Sequence, residues 1–336
     1  MPVQKAVAKV GFGKQTAKGT VQATNLHAFG VSGGSFAEID IKQDPEELTS
    51  STRNALGVVR SEASVGASFT TRAFTKNIYA LLAAALGQDA VTGAGPYVHT
   101  ATVPTAASLP YLSVRGSFGT GAFITQISDA MVDELTLKWD KSGLLEVDVT
   151  LIGTTLTLGG SFGTITNDVT TDASDVFGAQ SGTNSVFKYA VDSSTTAAGT
   201  IMGGEITIKN NLEVVPVSGQ ITPYDVFPSG QEIEWTLKVT PDDVNDWRKI
   251  VTGSSSGTAV SGVPLYGAAD VTFAATTTAT HSLQISSSRI AFLTDFPEAD
   301  PKGGPVTFDL KGTAVLPTAG TTPITAVTTN GITPAF

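Results

Sequence analysis

Along most of the chain, apolar side chains occupy every second position. The stretches "FAEIDIK" (36–42), "ELTLKW" (134–139), "LEVDVTLIG" (145–153), "EITIK" (205–209), "EIEWTLKV" (232–239) and "VTFDLKG" (306–312) all alternate in this way. A period of two predicts strands with one buried and one wetted face. Between two of them, "DKSGL" (140–144) carries the glycine of a hairpin turn and predicts an antiparallel pair. Two segments follow the helical period instead. In "TKNIYALLAAALG" (75–87), Ile78, Leu81, Leu82, Ala85 and Leu86 form one stripe, with Thr75 as the expected cap and Gly87 as the stop. In "TPDDVNDWRKIVTG" (240–253) the stripe is Val244, Trp247, Ile250 and Val251, with Thr240 as cap, Pro241 at the first helical position and Gly253 at the end.

The two helical segments stand at one constant spacing. Ile78, Leu81 and Gly87 recur in register as Val244, Trp247 and Gly253, and at the same offset Phe69 of the preceding strand recurs as Trp235. Further out, "EIDIK" at Glu38 matches "EITIK" at Glu205, and "EVDVTLIGT" (146–154) matches "PVTFDLKGT" (305–313). The pattern predicts a tandem duplication of one unit of roughly 150 residues, an ordinary domain size. Residues 1–157 then hold an N-terminal arm and the first unit. The Gly/Ser/Thr/Asp-rich segment 158–185 is a linker or extended arm, and 186–336 is the second unit with a C-terminal arm. The last twenty residues carry no charged side chain, which suits a tail laid against another subunit.

Composition narrows the class. Only 15% of residues are charged while 41% are hydrophobic, which favours a β-rich, closely assembled protein over a freely diffusing helical one. The net charge of −10 and the absence of any basic run disfavour gripping nucleic acid. Cysteine is absent, so disulfides and thiolate metal sites are excluded. No apolar run near the N-terminus resembles a signal peptide, and "YALLAAALG" (79–87) is too short to span a membrane, so synthesis in the cytosol is expected.

Candidate chemistry fails residue by residue. "GFGKQTAKGT" (11–20) has the vocabulary of a phosphate loop, but Gln15 follows Gly13-Lys14 and Ala8 stands where the first glycine is required. "GVSGG" (30–34) places Ser32 as a nucleophile, but a strand follows where the elbow needs a helix. His27, His99 and His281 have no ligand-spaced partner, and the acidic clusters at 44–48, 243–247 and 295–301 lack the calcium-loop pattern. No catalytic residue, cofactor or metal is expected. A glycosidase carboxylate pair could hide among the acidic loops, since sequence alone does not set their separation.

The succession "VGFGKQTAKGT" (10–20), "NALGVVRSEASVGASFTTRAF" (54–74), "NIYALLAAALG" (77–87), "EITIKNNLEVVPVSG" (205–219), "SGQEIEWTLKVT" (229–240) and "VTFDLKGTAVL" (306–316) resembles the tail tube, or major tail, proteins of long-tailed non-contractile bacteriophages. The resemblance implies a mainly β fold, here two tandem β-sandwich or barrel-like domains, each with a short flanking helix, akin to the tubes of contractile tails and type VI secretion. It implies a structural virion protein, assembled in the host cytoplasm, whose rings of six domains stack into the channel for DNA ejection. A duplicated chain would form such a ring as a trimer. The partners implied are the chain itself, a tape-measure protein and tail-end proteins, with DNA in transit only and no membrane. By the same resemblance the loops at 44–64 and 211–230 stack rings, with Asp44, Glu46, Glu47, Arg53, Arg60, Tyr224 and Asp225 as candidates. Glu38, Asp40, Glu146, Asp148 and Glu205, on the wetted faces of the strands, either line the lumen, contact a neighbouring subunit or face solvent. Lys14 and Lys18 would belong to a flexible N-terminal arm touching an acidic neighbour, so that deleting residues 2–20 impairs assembly but not folding. A carbohydrate-binding β-sandwich is the rival reading, and it requires exposed aromatic side chains.

Overall fold

The alternating segments fold as strands, and the strands of the two halves run in one order. The computed structural model describes residues 8–45, 58–105, 108–119, 123–141, 143–169, 175–179, 185–192, 200–240, 245–294, 306–317, 322–332 and 336. The first half contains β1 (Ala8–Lys14), β2 (Leu26–Pro45), β3 (Val58–Arg72), α1 (Ile78–Leu86), β4 (Gln88–Thr92), β5 (Tyr97–Thr102), β6 (Leu112–Phe118), β7 (Phe123–Asp140), β8 (Glu146–Gly153) and β9 (Thr155–Leu158). β10 (Ile165–Asp168) and β11 (Phe177–Gly178) lead into the second half. There follow β12 (Val186–Ala190), β13 (Thr200–Lys209), β14 (Leu212–Val215), β15 (Asp225–Pro228), β16 (Glu232–Thr240), α2 (Asn245–Thr252), β17 (Tyr266–Ala275), β18 (Ser282–Thr294), β19 (Phe308–Ala314) and β20 (Thr325–Asn330). The fold is mainly β.

In the first half β1 pairs with β2, β2 with β3, β3 with β8, β8 with β7, β7 with β6 and β6 with β1, all antiparallel. These strands close on themselves as a barrel, which leaves few free edges. The long strands β2 and β7 each run through two sheet regions, bending at register shifts that follow Val31 and Val132. In the second half the ladder runs β13, β16, β19, β18, β17, β12, in the same succession as β2, β3, β8, β7, β6, β1. β7 also pairs with β13, so the two quartets form one sheet: β2-β3-β8-β7-β13-β16-β19-β18. Alternation then fills the interior. Phe69, Leu135, Val149, Trp235, Leu237, Phe273 and Leu310 belong to one continuous buried cluster, and each such side chain contributes about 1.5–3 kcal/mol on leaving water.

Both helices end as the glycines predict. The Gly87 N–H donates to Ala83 O at 2.8 Å with φ +104°, and the Gly253 N–H donates to Lys249 O at 2.7 Å with φ +75°. These left-handed caps occupy equivalent positions in the two halves, and a side chain at either would be strained. Thr75 does not cap α1. Asn77 occupies that position without a side-chain cap, while the Thr75 hydroxyl donates to Asp175 at 3.0 Å. Thr240 ends β16, and Pro241 and Val244 lie outside the described residues.

Several expectations need correction. Residues 8–14 are a barrel strand with Val10 and Phe12 buried, not a flexible arm, because β1 finds a ladder on both sides. Deleting residues 2–20 would therefore remove part of the fold. Within 158–185, the described residues include two strands: β10 pairs in parallel with β2, and β11 pairs with β17. In the uncharged C-terminal stretch, β20 pairs both β18 and β5 of its own chain. The matched pentads are not in equivalent register. Glu205 lies opposite Thr236, whereas Glu38 lies opposite Gly66, whose counterpart at the helix spacing is Glu232. The slip from Glu232 to Thr236 is an even number of positions, so the same face stays wet.

Candidate assembly surface

Among the described residues, β2 from Val31 to Pro45 is paired on one side only, with β3. Its counterpart β13 is paired on both sides, with β16 and β7. An open edge presents unpaired N–H and C=O groups that template another strand. Glu38 and Asp40 are exposed on that edge strand, beside Ile39, which is also exposed.

The other acidic candidates converge. In cross-strand register, Arg72, Glu146, Lys138 and Glu205 follow one another over β3, β8, β7 and β13. Arg72 reaches Glu146 at 3.2 Å and Lys138 reaches Asp148 at 3.0 Å, while the Thr70 hydroxyl donates to Asp148 at 2.6 Å. The Asp148 hydrogen bond holds the Lys138 ammonium above its ordinary pKa against partial burial, helped by the charges of Asp148, Glu205 and Glu146. On the next strands Lys209 meets Glu234 at 2.6 Å, with the same upward effect on the lysine. This polar face thus carries Glu146, Asp148 and Glu205 around one lysine, with Glu38 and Asp40 at its edge.

The loop candidates divide. Glu46, Glu47 and Arg53 lie outside the described residues. Asp44 falls within β2 opposite Val59, and Arg60 is exposed on β3 opposite Gln43. Tyr224 is exposed, and the Lys18 ammonium sits 3.9 Å from its ring centre. Asp225 is buried and receives Lys18 at 2.6 Å, the Tyr111 hydroxyl at 3.1 Å and its neighbour's N–H, Val226, at 2.9 Å. Burial opposes the Asp225 charge, but these donors outweigh it and hold the carboxyl below its usual range. Burial, then Asp225 as acceptor, pushes the Tyr111 phenol up to about 12. Lys18 is thereby held by its own chain, and Lys14 donates to Phe336 O at 3.0 Å.

Sequence reasoning missed the histidine partners. His99 lies 3.1 Å from Asp89 across the β4–β5 hairpin, and His281 lies 3.1 Å from Asp175. His27 is buried against Tyr79 and Phe336. Burial depresses its pKa to about 4, with the nearby His99 acting in the same direction and the Asn77 hydrogen bond against it. None of these pairs extends to a metal centre: among the described residues no group of three or more His, Asp or Glu could hold an ion. Ser32 lies in β2 and donates to Thr70 O at 3.3 Å, with no helix behind it. Trp139 and Trp235 are buried and Trp247 is partly buried against the core, while the exposed aromatic side chains are Phe123, Tyr224 and Phe227 among the described residues. No helix among the described residues is long and apolar enough to cross a membrane.

The site offers an open strand edge, a shared polar face and an internal sheet-to-sheet junction. The family described as phage tail tube protein matches residues 5–314, and the chain belongs to that family. It is therefore a structural component of the virion, in the bacteriophage tail. No curated protein matches the chain.

Proposed function

We propose that the chain is a double-length ring subunit of the tail tube. Three copies would present six similar units in a pseudo-sixfold ring, and stacked rings would form the conduit for DNA ejection. The two units are residues 1–157 and 186–336, with 158–185 threading between them. The observation that carries this is the β7–β13 ladder, which joins two quartets of identical strand order edge to edge inside one chain. A junction of this kind repeated between copies would close the sheet and remove the open edge of β2.

On this reading the polar face bearing Glu38, Asp40, Glu146, Asp148 and Glu205 lines the lumen. Its acidic bias keeps passing phosphates from binding, since affinity for DNA grows with each phosphate neutralised. The long β2–β3 hairpin with Asp44 and Arg60, and the β14–β15 region with Tyr224, project toward the adjoining ring. The tape-measure protein would occupy the lumen before DNA, and tail-end proteins would cap the stack. Helical reconstruction of assembled tubes tests this directly. Three chains per ring are expected, and six chains per ring would overturn the proposal.

A further inference from the structure

This inference rests on the ring reading and specifies its contact. We infer that the open edge of β2 pairs with the C-terminal end of β18 in a second copy, with Leu293 opposite Ser35. The register follows from the internal junction. In β7–β13, Thr136 lies opposite Thr207, and their hydroxyls are 3.3 Å apart. Thr207 lies opposite Glu234, whose counterpart at the helix spacing is Ser68, and Ser68 lies opposite Ser35. On the other side, Thr136 lies opposite Asp148 and Asp148 opposite Thr70; the counterpart of Thr70 is Thr236, which lies opposite Lys311, and Lys311 lies opposite Leu293. Ser35 and Leu293 are thus the counterparts of the two threonines that already meet.

Two independent features agree. β17 covers its side of β18 only as far as Ala291, so that ladder stops short of Leu293. Leu293 is 72% exposed on a face otherwise polar, whereas its counterpart Thr136, flanked by strands on both sides, is 3% exposed. A neighbouring β2 would flank Leu293 in the same way. The rival register comes from the sequence match of "EIDIK" with "EITIK", which would set Asp40 in place of Ser35.

The chain has no cysteine, which makes disulfide trapping clean. Facing residues in an antiparallel pair stand about 4.5–5.5 Å apart, within disulfide reach. The S35C/L293C double variant, oxidised after tube assembly, should convert most of its monomer band into covalent multimers on non-reducing gels. T136C/T207C should give an intrachain bond and mark the efficiency of a correctly facing pair. Cross-linking by D40C/L293C in place of S35C/L293C would overturn the register, and tubes in which neither pair cross-links would overturn the edge contact while leaving the ring reading intact. A wild-type chain that forms no rings or tubes would overturn the ring reading and this inference together.

Discussion

α1 and α2 hold equivalent places in the two halves, end on glycine caps of the same geometry and follow equivalent strands, yet every residue of α1 is buried and none of α2 is. Part of the difference is written in the helices themselves, since α1 is apolar on every face whereas α2 carries Asp246, Arg248 and Lys249. α1 is covered from the second half of the chain: β20 packs beside it through the β4–β5 ladder, and the buried Asn210 amide donates to Ala85 O at 3.0 Å and to Val132 O at 2.8 Å. The second of these acceptors belongs to the junction strand β7. At α2, the corresponding carbonyl of Val251 is taken by the backbone N–H of Ser261 from its own loop. Residues of the second half thus complete the packing around α1, whereas α2 closes on its own loop. Burial of a repeated element depends on its own composition as well as on its neighbours.

The largest effect expected from this comparison is in packing. Leu81→Ala in α1 should cost about 2–5 kcal/mol, the range for emptying a fully buried leucine site, while Trp247→Ala at the equivalent position should cost about 1 kcal/mol. Urea unfolding of unassembled protein measures both. Equal losses would break the contrast.

Acid should strike the same half. The His27 pKa of about 4 in the folded chain lies below its ordinary 6.5, so the unfolded chain binds the proton first. The stability held by the neutral ring is complete above pH 6.5 and is lost as pH falls toward 4. The shift corresponds to about 3 kcal/mol at most. Melts from mildly alkaline pH down to the folded-state pKa should show that loss in wild type and a flatter profile in His27→Gln. An unchanged profile would mean that the ring gains solvent or a partner on protonation.

What could be read from residues alone was local. Helix period, glycine stops and strand alternation depend on neighbours in sequence, and the repeat spacing was visible because caps are sharp. Pairing was not legible. "AKVGFGK" does alternate, with Ala8, Val10 and Phe12 on one face, but its glycines and lysines give it the look of a loop; Gly11 and Gly13 pack closely, against Phe162 and against Gln22 and Leu26. "TAVTTN" in β20 has almost no apolar period, because two of the three residues on its buried face, Thr328 and Asn330, are polar, and the Asn330 amide donates to Thr75 O at 3.0 Å. The slip between the pentads escaped for a different reason: an even shift leaves every side chain on its own face, so alternation carries no trace of it. His99 and Asp89 meet only because a hairpin folds the chain back on itself.

The smallest effect concerns the polar face. Lys138 and Asp148 are 45% and 34% exposed, and ion pairs so placed couple by about 0.2–1 kcal/mol. A double-mutant cycle of Lys138→Ala and Asp148→Ala in the unassembled chain should fall in that range and shrink at about 1 M salt. The fold would then owe little to these charges, whose consequence is the field they project from the sheet. The first half offers a sharper form of the test, because Asp40 on the open edge has no cross-strand cation opposite it, only Ser64. Asp40→Asn should therefore leave stability within about 0.5 kcal/mol of wild type. A coupling above about 2 kcal/mol for the Lys138–Asp148 pair would require desolvation of that face in the unassembled chain and would contradict the exposure of both side chains.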